Sequence, residues 1–139
     1  MHYKESAAKT LRSFFYTLPL MLGIILLISL VLAVIPPEMI SALFSGGPSD
    51  SLIGAAVGSI AGGSPVASYV IGGELLSAGV SLLAVTAFLV AWVTVGLIQL
   101  PVEMDLLGRR FAIIRNALSF VFAILVASLV SLVLEVLAA

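Results

Sequence analysis

The chain has 139 residues, of which 62% are hydrophobic and 9% charged, with a formal net charge of -1 and a mean hydropathy of +1.30. Too little polar surface remains to cover a soluble globule, and there is no basic tract for nucleic acid. The absence of cysteine excludes disulfides, thiolate metal sites and cysteine nucleophiles.

These bounds predict an all-α integral membrane protein. Residues 1–139 form a single transmembrane domain with room for about four helical segments of ~20 residues each. The first segment, residues 14–35, follows Lys4, Lys9 and Arg12. It is too long for a signal-peptide core and ends in Ile35-Pro36-Pro37-Glu38 instead of a small-residue cleavage site. Pro19 and Gly23 are mild kink sites near its start. A turn-rich, acidic connector with Ser45-Gly46-Gly47-Pro48 leads to the second segment, residues 51–77.

Residues 51–73 carry no charge, yet Gly62-Gly63-Ser64-Pro65 sits in their middle. Two glycines and a proline interrupt the backbone order that a span requires, so the segment is predicted to break at residues 62–65, near the bilayer midplane. Such breaks are tolerated where backbone lines a cavity or a substrate site. Pro65 suits the first position of a new helix, with Ser64 as its N-cap. A helix N-terminus there would attract an anion or a polar ligand, and Ser64, Pro65, Ser68 and Tyr69 are the candidate substrate-binding residues. A kink healed by serine hydroxyls is the structural alternative. Before the break, Gly54, Gly58 and Gly62 recur every four residues and form a flat ridge for helix packing.

Glu74 is a carboxylate at the end of this uncharged run, placed either within a span or at the membrane surface. The third segment, residues 79–100, ends at Pro101 and contains Thr86, Thr94 and Gln99. With Glu74 these are the weaker candidates for coupling or gating; as structural residues they would bond their own or a neighbouring helix. Trp92 and Tyr69 fit interfacial anchors or bundle residues equally. A charged connector, residues 103–110, precedes the fourth segment, residues 111–137. In that connector Asp105 and Arg109 have the spacing of a helical ion pair, and Glu103 is a further partner. Arg115 and Asn116 suit anchoring at the headgroup level.

The six basic residues fall in two clusters, Lys4, Lys9 and Arg12 before the first segment and Arg109, Arg110 and Arg115 around the start of the fourth. If the second segment crosses the membrane, the clusters lie on opposite sides and no positive-inside bias remains, which permits an antiparallel homodimer. If residues 51–77 form a re-entrant hairpin, both clusters share one side, as the positive-inside rule favours.

The stretch Gly62-Gly63-Ser64-Pro65-Val66-Ala67-Ser68, followed by a helix, Ala87-Phe88 and the polar Thr94, resembles the predicted permease family that includes the organoarsenical efflux permeases. Over nearly its whole length the chain is similar to one half of the two-half members. The resemblance implies a half-size permease in which the second segment crosses, giving four crossings. The cysteines that follow the proline in the family's arsenical pumps are absent here, where Ala67 and Ser68 stand, so soft-metalloid capture by thiolate is unavailable.

An enzyme is not expected. The single histidine, His2, is remote from the serines of the segments, no His and carboxylate cluster suggests a metal, and Asp50 and Asp105 fall in connectors. No cofactor is implied. Two functions follow: a permease that moves a small solute as a homo-oligomer, a dimer favoured, or a non-transporting membrane subunit or scaffold packed through its glycine ridge. The expected partners are the lipid bilayer, a second copy of the chain and a small solute.

Overall fold

The computed structural model describes residues 2–61 and 63–139, all helix and connection with no strand among them. Seven helices follow in order: α1 (His2–Val34), α2 (Pro37–Leu43), α3 (Ser49–Ile60), α4 (Pro65–Ser77), α5 (Leu82–Thr94), α6 (Leu100–Leu107) and α7 (Arg109–Ala138). Among the described residues, two helices are long and apolar enough to cross a membrane, residues 3–27 of α1 and the whole of α7.

Local chemistry sets the boundaries. The Ile35-Pro36-Pro37 run ends α1, because a residue before proline is pushed out of the helical region, and Pro37 then opens α2. Ser64 caps α4 by accepting the Ala67 N–H, with Pro65 at the first helical position, as the Ser-Pro pair predicts. Ser81 caps α5 in the same way through the Ala84 N–H. Between α6 and α7, Gly108 adopts φ +91, a conformation that glycine takes readily and other residues avoid.

Helix α5 is central. Ala84, Val85, Ala87, Phe88 and Ala91 are all buried on it. One face receives α3, which runs parallel to it in a fixed register: Gly54 lies on Ala84 and Gly58 on Phe88. A Cβ at Gly54 would stand 2.1 Å from the Ala84 carbonyl oxygen, and one at Gly58 would stand 2.3 Å from that of Phe88. A second face packs Ala87 and Ala91 against Ala123 and Ala127 of α7. Small residues four apart on facing helices let the backbones approach closely, so this core is built from backbone proximity more than from large side chains. Gly54 and Gly58 of the predicted packing ridge therefore meet α5 of the same chain. Gly62, its third member, lies outside the described residues.

Helix α4 returns along a third face of α5 in the opposite direction. Gly63 and Pro65 lie beside Trp92 at the C-terminal end of α5, Gly72 beside Val85 and Leu89, and Leu75 beside the Val80, Ala84 and Val85 cluster near its start. Helices α3 and α4 are thus antiparallel, and the chain reverses between the end of α3 at Ile60 and the start of α4 at Pro65. The segment for which the family resemblance implies a crossing, residues 51–77, is thus two antiparallel helices packed on α5. With 12 and 13 residues, these helices are about 18 and 20 Å long.

Helix α7 runs antiparallel to α5, with its start near Gly96 and its end near Ser81. Its 30 residues span about 45 Å, more than twice the length of α5. Helix α6 makes up part of the difference. It continues beyond the end of α5 and lies along the first turns of α7, where Glu103 meets Arg115 and Asn116. The third predicted segment, residues 79–100, is accordingly interrupted: α5 stops at Thr94, and helix resumes only at Leu100. Much of the predicted charged connector is helical, as α6. Asp105 and Arg109 do not share a helix, because Gly108 separates them.

Much of the outer surface is apolar. Leu22, Leu26 and Leu30 of α1 and Phe122, Leu129 and Val136 of α7 are all more than half exposed. Monomeric soluble proteins seldom leave contiguous apolar surface of this extent.

Candidate functional site

Two backbone interruptions meet at one end of α5. One is the reversal between α3 and α4; the other is the gap between α5 and α6. The indole N–H of Trp92, in the last turn of α5, donates to the Gly63 carbonyl at 3.4 Å and ties the reversal to the helix. Phe88 meets the same indole edge-on, with ring centroids 5.4 Å apart. Together the interruptions enclose a cleft of about 370 Å³, whose polar lining includes Trp92, Thr94, Gln99 and Arg115.

The interruption at residues 95–99 is held open by Asn116. Its Oδ1 accepts the Gly96 N–H at 2.8 Å, and its Nδ2 donates to Glu103 Oε2 and to the Ala112 carbonyl, both at 3.0 Å. Asn116 is 5% exposed. A buried amide with its donors and acceptor engaged fixes the backbone it holds, since leaving any one group unmade there is costly. Glu103 Oε1 accepts from Arg115 Nη1, so Gly96, Glu103, Arg115 and Asn116 form one connected polar cluster at the cleft's edge.

At the other end of α5, Asp50 is fully buried and accepts three hydrogen bonds, from Ser45 N–H at 3.1 Å, Gly46 N–H at 3.0 Å and Ser81 Oγ at 3.3 Å. This carboxylate joins the start of α3 to the start of α5 and complements the register set by Gly54 and Gly58. A wider groove of about 680 Å³ lies at this end, with Ser81, Ser131 and Glu135 in its wall. The non-helical connections at residues 44–48 and 78–81 meet there, and the groove is more open than the cleft.

The candidate residues of the sequence are dispersed. Pro65, Thr94 and Gln99 line the cleft. Ser64 is committed to capping α4, and Ser68 is buried, its hydroxyl donating to the Pro65 carbonyl at 2.7 Å. Tyr69 is 65% exposed on the outer side of α4. Thr86 donates to the Leu82 carbonyl, on the half of α5 remote from the cleft, and Glu74 lies toward the far end of α4. Substrate-binding residues at 64, 65, 68 and 69 are therefore not gathered on one surface. Glu103, Arg115 and Asn116 were legible only as connector charge and headgroup anchors. The signal that could have paired them is Gly108 between two helical stretches, which folds residue 103 back toward residues 115 and 116.

Among the described residues, no group of three or more His, Cys, Asp or Glu side chains is arranged to hold a metal.

No protein-family model, curated protein or solved structure matches the chain.

Proposed function

We propose that this protein is a multi-pass membrane permease unit of half size that moves a small solute and works as a homo-oligomer, with a dimer favoured. In this reading α1, the α5–α6 pair and α7 cross the bilayer, while α3 and α4 re-enter from one face and turn between Ile60 and Pro65. The single observation that carries the proposal is the meeting of that turn with the interruption at residues 95–99 around one polar cleft. Non-helical backbone at membrane depth is stable only where it is buried in protein or lines a water-filled cavity, and transporter sites are built from such interrupted helices.

Helix length and charge placement support the same topology. Helices of about 18 to 20 Å fall short of a hydrocarbon core of ~30 Å, as re-entrant arms do, whereas α7 exceeds it. Three crossings bring the cluster of Lys4, Lys9 and Arg12 to the same side as Arg109, Arg110 and Arg115, so all six basic residues share one face. The positive-inside rule then places the cleft end toward the cytoplasm. The resemblance to the permease family accords with a transport role, although three crossings replace its four. An oligomer supplies what one chain lacks, since a single cleft open at the side of α5 does not enclose a pathway.

The test is labelling of Gln99→Cys with a small membrane-impermeant maleimide in oriented vesicles, in a chain without other cysteines. Rapid labelling from one aqueous side, alongside protection of Ser68→Cys, is the expected result. Labelling of Gln99→Cys only after denaturation would mean a closed cleft and would remove the permease reading.

A further inference from the structure

We infer that the cleft receives small organic anions, with Arg115 as the residue that takes the anionic end. The inference rests on the permease reading of the same cleft and names its solute class. Arg115 is the only charged residue in the wall of the cleft among those described. Its side chain is 39% exposed, while that of its counter-ion Glu103 is 16% exposed and is held from behind by Asn116. The cation is thus the more accessible partner of the pair, and it borders both this cleft and a neighbouring apolar groove with Phe111, Ile114 and Leu118. Only Nη1 of the guanidinium is bonded to Glu103, and a guanidinium has five N–H donors, enough to engage a second carboxylate.

The remaining wall suits a short apolar tail. The Trp92 ring and Ile98 provide apolar surface, and Gln99 supplies an amide beside them. A carboxylate carrying two or three carbons would set its oxygens on Arg115 and its chain on Trp92. Glu103 would then be the resident counter-ion that shares Arg115 with the incoming anion, keeping the empty site electrically balanced.

Trp92 is the sole tryptophan of the chain, so its fluorescence reports on this cleft alone. The experiment measures quenching by iodide, caesium and neutral acrylamide for the full chain in nanodiscs of zwitterionic lipid at 0.15 M salt. Each constant is divided by that of free N-acetyltryptophanamide in the same buffer. At contact distance one charge is worth about fivefold in local ion concentration in water, and Glu103 offsets part of it, so iodide is expected to exceed caesium by about two- to threefold. Arg115→Gln is expected to remove that preference, Arg115→Lys to keep it and Glu103→Gln to raise it. Butyrate is expected to suppress iodide quenching more than equimolar chloride does.

A normalised iodide-to-caesium ratio at or below one, or a ratio that Arg115→Gln and Glu103→Gln leave unmoved, overturns the anionic assignment. Butyrate no better than chloride overturns the organic part of it. If Arg115→Gln does not fold, the Arg115→Lys and Glu103→Gln results still decide. Acrylamide separates the two levels: quenching by acrylamide without an anion preference rejects this inference alone, whereas no acrylamide quenching rejects the open cleft on which the permease reading stands.

Discussion

Replacing Gly58 by alanine tests how the core is built. A Cβ there would lie 2.3 Å from the Phe88 carbonyl oxygen and 3.1 Å from its carbonyl carbon, where ordinary contact begins at 3.4 Å. The obstacle is backbone, not the end of a flexible side chain, so α3 must move from α5 by roughly 1 Å and lose dispersion contact along the seam. Overpacking of this kind costs about 1–3 kcal/mol, set against a gain of about 1 kcal/mol from the better helix propensity of alanine. Gly73→Ala provides the control. It lies within α4 with nothing within 4 Å of its added Cβ, so only the propensity gain of about 0.5–1 kcal/mol should appear. Equilibrium unfolding in mixed micelles, followed through Trp92 fluorescence, should therefore move in opposite directions for the two variants. Gly54→Ala, with a 2.1 Å approach to the Ala84 carbonyl, should behave like Gly58→Ala. Stabilisation of Gly54→Ala and Gly58→Ala to the level of Gly73→Ala would refute the close parallel packing of α3 on α5.

Three further outcomes follow from the hydrogen bonds. Asp50→Ala strands the N–H groups of Ser45 and Gly46 beside a buried site, each at about 1–3 kcal/mol, and should lower the unfolding midpoint more than any exposed substitution on α1 does. Ser64→Ala removes the cap of α4 and should destabilise by about 1 kcal/mol in the same assay, with Ser64→Asp restoring most of the loss. Asn116→Ala frees the Gly96 N–H, so hydrogen exchange at residues 95–99 should quicken at least tenfold, the equivalent of about 1.4 kcal/mol, while exchange in the middle of α5 is unchanged. Equal acceleration throughout α5 would show that Asn116 holds the whole helix and not the interruption.

The sequence was most informative where backbone chemistry is local. Hydropathy and composition marked an all-helical chain with helices fit for a membrane, and Ser64-Pro65 marked the start of α4 to the residue. Direction was not legible, because the same glycine-rich break suits either a kinked crossing or a reversal. The antiparallel packing is set by the pairing of Gly54 and Gly58 with Ala84 and Phe88, together with Gly72 on Val85 and Leu89, and those contacts join residues 13 to 30 positions apart. The interruption at residues 95–99 was hidden for another reason. An apolar run through Val95, Leu97, Ile98 and Leu100 reads as continuous helix, and only Asn116, 20 residues on, draws the Gly96 amide out of it. Periodicity has no means of registering a side chain that competes for a backbone amide from a different helix.

The most direct test of the re-entrant arrangement is the sidedness of Ser45 and Ser77, which bracket α3 and α4. Each is replaced singly by cysteine, alongside Arg110→Cys, and labelled with an impermeant maleimide in vesicles of known orientation. Labelling of positions 45 and 77 from the same face, with position 110 labelled from the other, is the result expected of helices that enter and return. Labelling of 45 and 77 from opposite faces would mean that residues 51–77 cross the membrane, and it would contradict the hairpin, the shared basic face and the cleft formed between the two interruptions.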